Sequence, residues 1–448
     1  MGIENKNGSD DGRSGIRIAI LKLVNLCYQR VFHENMSLDV QTFLKNLLFV
    51  GVATIISTLC TAIFNILGGR LLGPQEYGKF ILIQSVAMFL YFPMELGLNT
   101  AMLKYTSEKH DYQRQSNIIK GTLILATLFS TVSIVFYIMI ATPLSHLFSI
   151  SINLFYLAVA FAVLFVFFTL TMSAVRGLNR MRAYSVFQIV YGPIVLISFL
   201  VFIFNHQLSF ETMVFPILAA YISLTICTYF IFIRKLARWK FDISTAKMLW
   251  KFSIFSAIGG LSYAFYTNVD RIMIGRYLPV GDVGIYAAYY TASINIAGLF
   301  WGMFNMVYFP TISGYENKGT IFVRINKLIP FLISLGIPFL IICEYIVLKL
   351  YGASYSLNIF WMLFFSVTSI CVIVDGLYGW LLQAIGLQGI KITSIAAVVI
   401  AVVNTGLNLI LIPKFGIAGA IICLMISYII SIIIKLTFGR NYLLKGEE

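Results

Sequence analysis

The segment Gly69-Arg70-Leu71-Leu72-Gly73-Pro74-Gln75-Glu76-Tyr77-Gly78-Lys79-Phe80 returns, altered, as Gly275-Arg276-Tyr277-Leu278-Pro279-Val280-Gly281-Asp282-Val283-Gly284-Ile285-Tyr286. Both copies read G-R-x-L-x(3)-[DE]-x-G-x-[FY], 206 residues apart, and Thr61 and Ile66 match Thr267 and Ile272 at the same interval. Glycines and a proline alone would suit any two helix-ending turns. The matched arginine, leucine, acid and aromatic positions ask for more, and we read them as an internal duplication. A second match, 209 residues apart, supports this: Gly177-Leu178-Asn179 with Arg182 parallels Gly386-Leu387-Gln388 with Lys391.

Working outward from the two loops, the flanking sequence is apolar on a scale that only a membrane explains. Of 448 residues, 59% are hydrophobic and 11% charged, too few charges to cover the surface of a soluble protein this large. Runs of roughly twenty apolar residues, each long enough to cross the hydrocarbon core, are expected at 43–67, 80–103, 120–142, 152–174, 184–205, 212–233, 251–273, 284–309, 328–349, 357–382, 392–412 and 416–435. The repeated loops then join spans one to two and seven to eight. A repeat interval of six spans preserves orientation, so the two halves are parallel, related by an axis along the membrane normal.

The net charge of +14 follows this topology and does not imply nucleic acid. All but six of the 32 basic residues fall on the side that carries both termini; the exceptions are Arg70, Lys79, Arg271, Arg276, Lys349 and Lys414. Basic residues collect on the cytoplasmic side, so both termini are expected there, in a multi-pass protein of the cell membrane. The implied organisation is a cytoplasmic N-terminal extension (1–41), an N-terminal six-helix lobe (42–233), a cytoplasmic linker (234–250), a C-terminal six-helix lobe (251–436) and a cytoplasmic tail (437–448). The extension is polar at its start. Its stretch 16–32, with Arg17, Lys22 and Arg30 among apolar residues, reads either as a basic helix lying on the membrane or as a loose tail. Lys6 occupies the position where a myristoylation signal needs Ser or Thr.

The six cysteines form no CxxC pair, five of them lying within apolar segments where they act as small hydrophobes, and the four histidines all lie outside the spans. No metal site and no cofactor are expected. The outward loops are short, leaving no room for an extracytoplasmic catalytic domain.

Several segments resemble a known family. Arg70 to Gly78 (R-L-L-G-P-x-E-Y-G), Glu95-Leu96-Gly97-Leu98-Asn99-Thr100-Ala101 at the end of span two, and Asp270-Arg271-Ile272-Met273-Ile274-Gly275 in span seven are similar to motifs of the polysaccharide, or O-antigen repeat-unit, flippases. These belong to the multidrug/oligosaccharidyl-lipid/polysaccharide exporter superfamily. The resemblance implies an all-α membrane protein of about twelve transmembrane helices in two parallel six-helix lobes around a central cavity. It also implies a function: moving a polyprenyl-pyrophosphate-linked oligosaccharide from the cytoplasmic to the outer leaflet by alternating access, for polysaccharide biosynthesis. The expected partners are membrane lipid, the lipid-linked oligosaccharide and polysaccharide assembly proteins. The long polar extension before the first span departs from the family's pattern.

Such cargo has an apolar tail, an anionic pyrophosphate and a hydrophilic sugar, so the carrier needs a hydrated cavity with cationic groups. A charge at mid-membrane costs about 2.5–3.5 kcal/mol on insertion scales, so one found there faces a cavity or a partner. Candidates for the cavity or its entrance are Arg271, Arg70, Arg276, Lys120, Arg176 and Arg180. Arg70 and Arg276 could equally snorkel to the headgroups, and the last three could simply set topology. Candidates for coupling to Na⁺ or H⁺ are Asp270, Glu95 and Asp375, which could instead pair with internal arginines. Glu344, a weaker candidate for the same role, could simply be interfacial. Tyr263, Tyr266, Tyr286, Tyr289 and Tyr290 could stack on sugar or belong to the interfacial aromatic belt. Two alternatives compete. An ion-coupled multidrug exporter of the same superfamily would want an acidic cavity. A membrane polymerase or ligase would want a nucleophile or paired carboxylates near a large loop; no such loop exists, and an enzyme is not expected.

Overall fold

The computed structural model describes residues 38–108, 111–205, 208–236, 243–314 and 318–444. The stretch 16–32 lies outside them, as do Lys109, His110, His206, Arg238 and Lys240. Among the described residues the chain forms fourteen α-helices and no strand: α1 (Leu38–Glu95), α2 (Leu98–Ser107), α3 (Tyr112–Met139), α4 (Ala141–Phe148), α5 (Ile152–Gly177), α6 (Met181–Asn205), α7 (Glu211–Thr228), α8 (Ile243–Tyr277), α9 (Val280–Tyr290), α10 (Ile296–Gly314), α11 (Lys318–Tyr351), α12 (Ile359–Gln383), α13 (Leu387–Phe415) and α14 (Ile417–Leu444).

Among the described residues, ten helical stretches are long and apolar enough to cross a membrane, and two observations bring the passes there to twelve. The first concerns α1, where Gly73 takes φ 73° and ψ 171° and folds the helix back on itself. On an unbroken helix Phe64 and Phe80 would lie about 24 Å apart, yet their ring centroids are 6.0 Å apart. The second is α8, 35 residues long, whose uncharged stretch 252–269 is long enough to cross but is diluted by Ser, Gly, Tyr, Thr and Asn, so it falls short on hydropathy rather than length. The outward faces are apolar, with Phe204 86% and Met139 78% exposed, as lipid-facing side chains are.

The structure moves two expected boundaries. Span two begins at Pro74, not at 80. It runs straight through Pro93 and breaks after Glu95, where Leu96 (φ 44°) and Gly97 (φ 75°) turn left-handed. Position 97 admits only glycine on a second count as well: a methyl there would sit 2.8 Å from the Ser253 carbonyl of α8. Span eight begins at Val280 and passes through a wider π-helical turn, Thr291–Asn295, before continuing as α10.

The repeated loops meet each other. A methyl on Gly78 would lie 2.1 Å from the Val280 carbonyl oxygen, and one on Gly284 would lie 2.1 Å from that of Pro74. Residues 74 and 280 are themselves repeat partners, so α1 and α9 cross backbone to backbone in a two-fold arrangement that tolerates no side chain at the crossing. The matched arginines obey the same symmetry. Arg70 Nη1 donates to the Leu350 carbonyl at the end of α11 (3.5 Å), and Arg276 Nη1 donates to the Leu147 carbonyl at the end of α4 (3.3 Å). Each thus reaches the carbonyl-rich C-terminal end of a helix in the opposite lobe.

Candidate transport cavity

A cavity of about 550 Å³ lies between the first span and spans seven and eight. The first span contributes Thr54, Thr58, Thr61 and Asn65; α8 contributes Tyr263, Tyr266 and Thr267. Span eight supplies Tyr290, Thr291, Asn295 and Trp301, and α14 closes the wall with Tyr428. Hydroxyls, amides and aromatic rings share the wall with aliphatic side chains such as Ile55, Ile66, Leu299 and Val347, and there is no acid or base among its lining residues. Above it the repeated loops seal the lobes, with Tyr77 and Tyr351 in hydroxyl contact at 3.3 Å and Tyr355 donating to the Gly69 carbonyl (2.9 Å). The opposite seam, between span two and α8, is packed: Phe89 meets Phe265, Tyr105 meets Phe252, and Ser256 donates to the Gly97 carbonyl.

Arg271 lies directly behind the Tyr290 wall. Its guanidinium carbon is 4.6 Å from the Tyr290 ring centroid, and Nη1 donates to Asn268 Oδ1 at 3.4 Å. Its Nε is buried without a hydrogen-bond partner. The three ion pairs among the described residues are Lys79–Glu76, Lys104–Glu108 and Lys435–Asp375; Arg271 is in none of them.

The other basic candidates do not reach this space. Arg70 and Arg276 are exposed at the loop end of the bundle. Lys120 donates to the Leu236 carbonyl beyond the end of span six (3.0 Å). Arg176 lies over the Tyr184 ring at 5.3 Å and borders a separate hollow with Ser107, Gln115 and Asn179. Arg180 is exposed nearby.

Each acid occupies a distinct setting. Glu95 is buried and accepts from the Asn99 backbone N–H (3.1 Å), so its carboxylate closes the broken helix and answers the N-terminal dipole of α2. Asp375 takes Lys435 as partner at 2.6 Å, with Ser431 also donating; Lys435, which the sequence assigns to topology, is buried. Asp270 is in none of the three ion pairs, although the charge of its chain neighbour Arg271 acts on it. It accepts from the Tyr286 hydroxyl (2.8 Å) and from Asn408 Nδ2 (2.5 Å), and Asn408 bonds Asn404 in turn (3.2 Å). Asn408 Oδ1 and Asn404 Nδ2 are left without partners in the same buried cluster. The spacing of Asn404 and Asn408, one helical turn apart in an apolar run, was the sequence signal for this cluster. Glu344 is wholly buried rather than interfacial. Of the five tyrosines singled out, Tyr263, Tyr266 and Tyr290 line the cavity, while Tyr286 and Tyr289 are core residues.

The family described as polysaccharide biosynthesis protein matches residues 43–316. This chain belongs to that family. The probable low-salt glycan biosynthesis flippase Agl15 of Haloferax volcanii is 25% identical over 390 residues, covering 83% of this chain and 78% of that one. Among solved structures, the lipid II flippase MurJ in an inward closed conformation aligns with a TM-score of 0.64 at 16% identity, over 88% of this chain and 87% of that one. A multidrug resistance transporter of the MATE family, inward-facing and of the MOP superfamily, aligns at 0.60 with 14% identity, over 95% and 98%. The polysaccharide family member thus has the fold of the MOP-superfamily flippases and transporters: twelve passes, two parallel lobes, a cavity between them.

Proposed function

We propose that this protein is a flippase that carries a polyprenyl-pyrophosphate-linked oligosaccharide from the cytoplasmic to the outer leaflet of the cell membrane, by opening the cavity to each side in turn. The observation that carries the reading is Arg271: a half-buried guanidinium in no ion pair, its Nε buried without a hydrogen-bond partner, directly behind a cavity wall that carries tyrosines, threonines and asparagines. Aromatic rings and hydroxyls suit sugar, an unspent arginine suits pyrophosphate, and the polyprenyl tail stays in lipid while the head enters the seam between spans one and eight. The cytoplasmic position of both termini rests on the basic-residue bias, and the family relationship and the glycan flippase among its relatives support the cargo class. A multidrug exporter for cationic drugs is disfavoured by the absence of any acid among the cavity-lining residues.

In this reading, Asp270 binds Na⁺ or H⁺ and couples its gradient to the lobe motion. Asp270 has amide and phenol partners and forms no ion pair, with only the charge of Arg271 acting on it from nearby, a setting in which an ionised carboxylate stays costly until a cation joins it. Glu95 and Asp375 are already engaged, by a helix end and by Lys435.

The test is Arg271→Ala in cells. Hydrogen bonds to charged groups contribute about 1.5–3 kcal/mol, so surface polysaccharide should fall roughly tenfold to a hundredfold with protein amount unchanged. Arg271→Lys should recover only part, since an ammonium cannot stack flat on Tyr290. Full polysaccharide in Arg271→Ala would remove the anion-binding reading.

A further inference from the structure

A second buried acid lies apart from the Asp270 cluster. Glu344, seven residues before the end of α11, is 0% exposed. Ser366 of α12 donates to its Oε1 at 2.7 Å, while its Oε2 is buried without any partner. Beside it, Ser293 and Ser369 share a hydroxyl–hydroxyl contact of 2.6 Å. The titratable neighbours are all spent elsewhere. The Tyr289 hydroxyl is bound to the backbone at Ser356 and Asn358. Cys343, the remaining titratable neighbour, brings no positive charge. A carboxylate with one oxygen orphaned and no cation within reach is not stable in a low-dielectric interior.

Ser293 stands in the π-helical turn Thr291–Asn295. Single π turns inside α-helices recur at functional sites. From this same turn Thr291, Ile294 and Asn295 face the transport cavity, and Val347, one turn beyond Glu344 on α11, lines the same cavity. Glu344 therefore sits beside two elements of the cavity wall, α11 and the π turn, at the point where span eight departs from regular helix.

We propose that Glu344, with the hydroxyls of Ser293, Ser366 and Ser369, forms a monovalent-cation site that takes a proton or Na⁺ at Oε2. A proton makes the carboxyl neutral and lets it stay dry; Na⁺ would be ligated by the carboxylate and serine oxygens. In either case occupancy is linked to the conformation of the π turn, and through it to the shape of the cavity. The proposal goes beyond the Asp270 site and does not depend on it.

The experiment uses the full chain, purified and reconstituted in lipid nanodiscs, with Glu344→Gln, Glu344→Asp and Asp270→Asn beside the wild type. Infrared difference spectroscopy reads the C=O stretch of a buried neutral carboxylic acid, and radioactive Na⁺ gives ions bound per chain. If the ligand is a proton, the wild type and Asp270→Asn share a neutral-carboxyl band at neutral pH that Glu344→Gln lacks and Na⁺ does not alter. If it is Na⁺, Glu344→Gln binds one ion fewer per chain, Glu344→Asp binds but weakens, and the loss adds to any in Asp270→Asn. Ser293→Ala with Ser369→Ala, which keeps the carboxyl, should shift that band or lower Na⁺ affinity roughly tenfold. Neither band nor bound Na⁺ differing between the wild type and folded Glu344→Gln overturns the proposal. An effect of Glu344→Gln with none of Asp270→Asn sinks only the coupling role of Asp270.

Discussion

The two lobes place different chemistry at the same position. In the N-terminal lobe Phe64 and Phe80 meet edge to face at 6.0 Å, with Phe199 at 5.0 Å from Phe64. Their repeat partners are Asp270 and Tyr286, which meet as carboxylate and phenol at 2.8 Å. One position further, Asn65 spends its side chain locally, donating to the Thr61 carbonyl and accepting from Tyr77, whereas its partner is Arg271, a cation in none of the ion pairs, lying over Tyr290 behind the cavity wall. The frame around these positions is the same in both lobes: the glycine crossing, the arginine reach, the hairpin. The difference teaches that duplication fixed the scaffold twice, while at this position the buried ionisable groups stand in one copy and an aromatic cluster in the other.

That contrast is most sharply tested by exchanging the pairs. Phe64→Asp puts a carboxylate against Phe80 and Phe199 with nothing to answer it. The loss should be at least the roughly 3–5 kcal/mol of a Phe→Ala deletion in a core, read as a large fall in the thermal midpoint or as failure to express. The reverse exchange, Asp270→Phe with Tyr286→Phe, orphans the Asn408 amide, which costs about 1–3 kcal/mol. An aromatic pair restores about 0.5–1.5 of that. The protein should fold and transport should disappear. Equal tolerance of both exchanges would mean the two interiors are interchangeable and the asymmetry carries no function.

A second asymmetry lies deeper in the C-terminal lobe, where Asp375 meets Lys435; at the interval of 209 the N-terminal position is Val166, buried and apolar. Asp375→Asn alone strands an ammonium in the bundle and should cost about 3–5 kcal/mol. Asp375→Leu with Lys435→Met should be nearly neutral in unfolding measurements, since apolar replacement of a buried pair generally is. A double variant as damaged as the single one would give the pair a role beyond mutual neutralisation.

The sequence carried the frame because the signals for it are local. Apolar runs, basic-residue bias and a repeated loop each need only neighbouring residues, and they yielded twelve passes in two parallel halves. They also pointed to Asp270 and Arg271 as functional candidates. What they could not carry is pairing across the bundle. Lys435 reads as one more basic residue near a helix end until Asp375, 60 residues away, is seen beside it. Glu344 reads as interfacial because its depth depends on where α11 ends and on Ser366 and Ser293 from two other helices. The reach of Arg70 to a carbonyl 280 residues on has no trace in the motif that contains it. The partner across the bundle is not legible from the chain, and for Glu344 neither is the burial that depends on it.

The glycine crossing should behave as the opposite of these asymmetries. Gly78→Leu and Gly284→Leu each force side-chain volume into a backbone carbonyl of the other copy. Overpacking typically costs about 1–3 kcal/mol, and because the contact is reciprocal the two variants should lose nearly the same. Both should also weaken the seal above the cavity, read as faster labelling of a cysteine placed at Tyr77 or Tyr351. Unequal losses would show that one copy bears the closure.

The smallest expected effect is the most specific to the symmetry. Arg70 and Arg276 each donate one hydrogen bond to the end of a helix in the other lobe, at 3.5 and 3.3 Å. These bonds exist only while the loop ends of the lobes are together. Removing either should leave the fold intact and shift the balance between closed and open loop ends by about 0.5–1.5 kcal/mol, a change of a few-fold to roughly tenfold in the open fraction. Label-to-label distances across the loop ends would read it. Because the two contacts sit on different helix ends and share no atoms, Arg70→Ala and Arg276→Ala should add within about 0.5 kcal/mol when combined. The exposed positions argue for the low end of the range. An effect confined to Arg276→Ala would reduce the arginine match to a relic of the duplication, with one working clasp instead of two.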